Sequence, residues 1–151
     1  SLREEVLSSS PKISRGENYK GLPWLVLDYP RCFGPEDVFA VRTMFWWGQF
    51  FSITLHLSGL YKKEAEKKIS GSFEALAAEG FFVCINESPW QHHFENDNYC
   101  SVAETGKPVF EQLVLERPFI KLALKFPLQE WEAMYDQLPL QFRKILRLIT
   151  D

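Results

Sequence analysis

Phe51, Ile53, Leu55 and Leu57 alternate strictly with Ser52, Thr54, His56 and Ser58. A repeat of two sends successive side chains to opposite sides of an extended chain, so this stretch reads as a half-buried strand. Ile120, Leu122, Leu124 and Phe126 alternate in the same way with Lys121, Ala123 and Lys125. Two such strands require a sheet with one buried face and one wet face.

The remaining elements are arranged around them. Residues 22–29, LPWLVLDY, form a strand apolar on both sides and therefore central or covered twice, closed by Pro30. Short strand-like runs at 81–85, 90–94, 99–103, 109–116 and 119–126 are separated by turn residues, and connections this short favour antiparallel pairing in a meander. Residues 36–47 follow Gly34-Pro35 and place Val38, Val41 and Phe45 at i, i+3 and i+7, which predicts a helix ending at Gly48. The clearest helical pattern is 61–79, with Tyr61, Ala65, Ile69, Phe73 and Leu76 on one face, a lysine-rich outer face and Gly80 as its stop. Residues 129–151 predict a long C-terminal helix broken or kinked at Pro139, with an apolar surface wide enough for a second contact. Residues 2–7 suit a short helix, and 8–21 read as a surface loop. The expected class is α+β: a curved, mainly antiparallel sheet packed against helices, with an N-terminal helix or arm over 1–20 and a single domain over 21–151. This inferred architecture is similar to helix-grip and cone-shaped folds that enclose an apolar pocket, although no sequence motif of those families is present.

Five aromatic rings fall between Phe45 and Phe51, in a chain that is 15% aromatic. Residues 38–57 are long enough to tempt a membrane reading, but Arg42, Gln49 and His56 interrupt them. One arginine there costs about 2.5–3.5 kcal/mol on insertion scales. A membrane is therefore excluded as the destination of these rings. A formal net charge of -3 with mixed signs lacks the basic footprint of a nucleic-acid binder. Cys32, Cys84 and Cys100 are odd in number and contain no C-x-x-C pair, which argues against a disulfide framework and for a cytoplasmic setting.

On a helix, Phe45, Trp46 and Trp47 point about 100° apart, so one core cannot absorb all three rings. Phe45, Trp46, Trp47 and Phe50 are accordingly expected to wall a pocket for a small apolar ligand, or a surface for a protein partner or a second copy of the chain in a homodimer. His56, on the polar side of its strand, is the expected anchor; Asp28 is a partner for Arg31 or Arg42. The other chemically rich stretch is SPWQHHFENDNYC, where His92, His93, Glu95 and Asp97 offer common metal-ligand types. Adjacent histidines on a strand face opposite ways, whereas His93, Glu95 and Asp97 project together. A metal-assisted hydrolase using this segment is the alternative function, and an adaptor acting through its C-terminal helix is the third. G-x-S-x-G, P-loop and G-x-G-x-x-G fingerprints are absent, so no cofactor is indicated.

Overall fold

The computed structural model describes residues 2–150. Seven antiparallel strands form one open sheet: β1 (Lys12–Tyr19), β2 (Leu22–Phe33), β3 (Val38–Trp46), β4 (Phe50–Ser58), β5 (Phe82–Cys84), β6 (Tyr99–Ser101) and β7 (Phe119–Pro127). Their spatial order is β1-β2-β3-β4-β7-β5-β6. The first four strands follow one another, but β7 inserts between β4 and β5, so the second half is not a simple meander. The helices are α1 (Glu4–Leu7), α2 (Gly59–Ser70), α3 (Phe73–Ala78), α4 (Val102–Thr105), α5 (Lys107–Glu116) and α6 (Trp131–Arg147). A 3-10 turn over Leu128–Glu130 leads into α6, which carries Pro139 in its interior. Among the described residues no helix is long and apolar enough to cross a membrane.

The alternating strands settle which side of the sheet is the core. Ile53, Leu55 and Leu57 pair across to Leu124, Leu122 and Ile120, and these six side chains share one face with Phe39 and Val41. Tyr61, Ala65 and Ile69 of α2, Leu76 of α3, Phe110 and Val114 of α5 and Ile145 of α6 pack onto them. Each fully buried aliphatic side chain contributes about 1.5–3 kcal/mol, so this layer is the main source of stability. Asp37 fixes where α2 begins: its Oδ1 accepts the Leu60 N–H at 2.8 Å. Gly59 passes beneath that carboxylate at φ +57°, where a Cβ would collide with it.

Several sequence expectations require correction. Residues 36–47 are not a helix, because β3 runs through them in register with both β2 and β4. Val38, Phe39, Ala40 and Val41 are all buried, so both faces of this strand are covered and no alternation survives to mark it. Residues 8–21 are not simply a loop: β1 occupies 12–19 and forms the sheet edge, which ties the N-terminal arm to the rest of the fold. The run at 109–116 is α5, with Phe110 and Val114 one turn apart on its buried side. The run at 90–94 is irregular, and 99–103 is a three-residue strand followed directly by α4. The helical pattern at 61–79 divides into α2 and α3 at Gly71-Ser72. Finally, β2 continues through Pro30 to Phe33.

Candidate functional site

The second face of the sheet is neither wet nor apolar. Residues 85–98 cross it as an irregular cover, and beneath them lie Asp28 of β2, Arg42 of β3, Thr54 and His56 of β4, and Lys121 of β7. Strand register dictates this grouping, because Asp28 stands opposite Arg42, Arg42 opposite Thr54 and His56 opposite Lys121. Tyr99 of β6 and Cys84 of β5 complete the buried group on the far side.

Each charge in this layer has a structural consequence. Arg42 forms a two-pronged pair with Asp28, Nε to Oδ1 at 2.7 Å and Nη2 to Oδ2 at 2.9 Å. Lys121 has no carboxylate partner among the described residues; its Nζ donates to the carbonyls of Pro89 at 2.7 Å and Gln91 at 2.5 Å. Burial, opposed in part by Cys84 and reinforced by Arg42, lowers the Lys121 pKa to about 8. Burial, with Lys121 and Arg42 adding repulsion, lowers His56 to about 3, and the same causes plus His93 lower His92 to about 3. Both rings are therefore neutral at pH 7. Burial also raises the Cys84 thiol, which removes it as a ready nucleophile.

His56 is 7% exposed and makes no hydrogen bond among the described residues. Among the described residues no fully buried polar side-chain atom lacks a partner, so its ring nitrogens must reach an opening. His56 lines two openings, and the larger is a cleft of about 530 Å³ whose walls also include Phe33, Trp90, Phe119, Glu36 and Glu87. Trp90 stands nearly perpendicular to the imidazole, at 5.1 Å between centroids and 75° between planes, and Phe119 does likewise at 6.1 Å and 79°. Behind Trp90 the smaller opening is a chamber of about 10 Å³, the space of roughly one water, which touches His56 as well as Arg42, Thr54 and Lys121.

The residues expected to form one aromatic pocket are not assembled into one. Because β3 is a strand, its neighbouring rings Phe45 and Trp46 face opposite sides. Trp46 and Phe50 are buried on the second face with Tyr19 and Phe94 nearby. Phe45 meets Trp47 and Phe51 on the other side, and Trp47 is 57% exposed at the hairpin end. His56 lies six residues along β4 from Phe50, about 20 Å away at strand rise. Trp46 and Phe50 do border another cleft, of about 320 Å³, with Lys20, His93, Glu95 and Lys125.

The second cluster divides as adjacency on an extended segment demands. His92 turns toward Arg42, with Nε2 3.5 Å from Nη1, whereas His93, Glu95 and Asp97 bring ligand atoms within 4.8 Å of one another. A turn, in which Asn98 and Tyr99 N–H groups return to the Glu95 carbonyl, achieves this. His93 is buried, held at Nδ1 by the Tyr19 hydroxyl at 3.1 Å and at Nε2 by Asp97 Oδ1 at 2.8 Å. Glu95 is exposed and pairs with Lys20 at 3.6 Å.

Phe33, Trp90, Phe119 and Lys121 were not among the expected site residues. Lys121 had a readable signal: pairing the two alternating strands along their polar sides sets it beside His56. The cleft aromatics had none, since they come from three separate segments. Comparison with protein-family models, with curated proteins and with solved structures found no match.

Proposed function

We propose that the protein is a binding domain that receives a small, partly apolar ligand in the cleft above His56. The observation that carries this reading is the imidazole itself: a polar ring more than nine-tenths buried, without an internal partner, opening onto a cleft with aromatic walls. Its ring nitrogens reach open space, so water satisfies them when the cleft is empty, and a ligand that hydrogen-bonds to them replaces that water. The cleft volume of about 530 Å³ lies within the usual range for small-molecule sites. Three free cysteines are consistent with a reducing, cytoplasmic setting. Native mass spectrometry of the purified protein, followed by Trp90→Ala, tests the reading. Added mass that is lost in the variant is the expected result; a ligand retained equally by both proteins places binding elsewhere.

A second reading, metal-assisted hydrolysis, draws on the convergence of His93, Glu95 and Asp97. One imidazole and two carboxylates suit a borderline divalent ion such as zinc or manganese, which would lower the pKa of a bound water. Zinc or manganese should then raise the melting temperature of the parent and not of Glu95→Gln. Equal melting curves with and without either ion refute it.

A further inference from the structure

The two openings at His56 also specify a ligand chemistry, on the premise that the larger one is a binding site. Neither imidazole nitrogen has a hydrogen-bond partner among the described residues, yet neither is sealed from open space. His56 lines both the cleft and the one-water chamber behind Trp90. Because the two nitrogens diverge across the ring, one at each opening satisfies both conditions. A neutral imidazole carries one N–H and one lone pair, so what the cleft offers depends on which nitrogen holds the proton.

The chamber decides it. Its other polar neighbours include two cations, Lys121 and Arg42, which donate hydrogen bonds and accept none. These charges repel an N–H and attract a lone pair, directly or through the one water that the chamber admits. The lone pair therefore faces the chamber, and the N–H faces the cleft. Burial, with repulsion from Lys121 and Arg42, keeps a second proton off the ring near neutrality. The cleft thus has a buried donor at its floor, which only a hydrogen-bond acceptor can pair.

The surrounding charges restrict that acceptor further. A cationic ligand would meet Lys121 and Arg42 behind the floor and the Arg117 guanidinium, which already lies 5.0 Å from the Phe119 ring centroid. An anionic one would pass Glu36 and Glu87, which are exposed at the walls and have no ion-pair partner among the described residues. Nor are the cations free to hold an anion: Arg42 is paired with Asp28, and Lys121 and Arg117 are turned onto backbone carbonyls. Positive charge behind the floor and negative charge at the walls favour an uncharged group whose dipole points its oxygen inward. An amide carbonyl has that dipole, and Phe33, Trp90 and Phe119 give apolar surface to the rest of the molecule. We infer that the cleft receives an apolar carboxamide whose carbonyl oxygen accepts the His56 N–H.

The test is a titration of ¹⁵N-labelled protein at pH 7 with benzamide, benzoate and benzamidinium, which share one shape but are neutral, anionic and cationic. The indole N–H of Trp90, identified by its loss in Trp90→Phe, reports binding. The His56 ring nitrogens, identified by their loss in His56→Gln, report the contact itself. Benzamide should shift the Trp90 signal saturably, bind at least about fivefold more tightly than either ion, and move the protonated His56 nitrogen more than the bare one. His56→Phe keeps a ring and removes the N–H, so it should weaken benzamide about fivefold. The measurements on the parent protein decide the matter even if that variant does not fold. Tighter binding of benzoate or benzamidinium, equal affinity for all three, or benzamide binding without a response at His56 overturns the carboxamide assignment while leaving the cleft as a binding site. No response of Trp90 to any of the three probes overturns the assignment and the reading of the cleft together.

Discussion

Lowering the pH from 7 to 5 should cost the fold several kcal/mol through two histidines that do not protonate in it. The sign follows from their environment. His56 and His92 each have a pKa of about 3 in the folded protein, against an ordinary value of 6.5, because burial and the nearby Lys121 and Arg42 disfavour the imidazolium. Above pH 6.5 both rings are neutral in both states and contribute no pH dependence. As the pH falls below that value, the unfolded chain takes up protons that the fold refuses, so stability is lost, and the loss levels off only near the folded pKa. Between pH 7 and 5 each fully shifted histidine removes about 2 kcal/mol, or about 4 kcal/mol for the pair. His92 is more exposed than His56, which makes this pair value an upper figure. Because pH 5 is still about two units above the folded pKa, the size of the loss is fixed by the unfolded chain and is insensitive to the exact folded value. Urea unfolding at the two pH values, followed by circular dichroism, measures it. His56→Gln and His92→Gln should each remove about half of the pH-dependent loss. Equal unfolding free energies at pH 7 and 5 in the parent protein, or an unaltered loss in His56→Gln, would refute the claim that burial holds these rings neutral.

Three further outcomes follow from the buried layer and the hairpin. Asp28→Ala leaves Arg42 without its counter-charge and should destabilise the protein by about 3–5 kcal/mol, whereas Asp28→Ala/Arg42→Met should recover much of that loss in the same urea assay. Trp46→Ala should cost about 3–5 kcal/mol because its ring is buried. Trp47→Ala, at an exposed ring, should change stability by no more than about 0.5 kcal/mol, and similar losses in the two variants would contradict their placement on opposite sides. Lys121→Met frees the carbonyls of Pro89 and Gln91, so amides over 85–98 should exchange faster with deuterium while those of β4 remain protected; unchanged exchange over the cover would show that Lys121 does not hold it.

How much of this was legible depends on which sides of an element meet water. The strands at 50–58 and 119–127 could be read because their helix-facing residues are apolar and most of their other residues polar. The β3 strand could not, since Val38 to Val41 are buried without a break, and a few apolar positions then fit a helical spacing by chance. The opposite failure hid β1, an edge strand whose burial pattern has no core residue and so leaves no apolar repeat. The misread of β3 propagated to the candidate site. Adjacent rings that diverge by about 100° on a helix diverge by about 180° on a strand, so Phe45 and Trp46 could not share a wall. His56 was legible as a polar residue on a half-buried strand. Its companions were not, because contacts with Phe33, Trp90 and Phe119 depend on how the cover folds back across the sheet.

The cover explains why a costly buried lysine has a place beneath it. A methionine at 121 would fill similar space without the desolvation penalty, but it could not satisfy two carbonyls. Those carbonyls belong to Pro89 and Gln91, which flank Trp90. Lys121 therefore fixes the backbone on both sides of the residue that forms one wall of the cleft, while His56, its register partner on β4, provides the floor. Slipping β7 by one residue against β4 would turn Lys121 into the helical core and remove both restraints at once. The relation between floor and wall is thus set by a strand register that the alternating apolar residues enforce from the opposite face of the sheet. Lys121 is consequently a positioning residue: it acts on the cleft through Trp90, without lining that cleft itself.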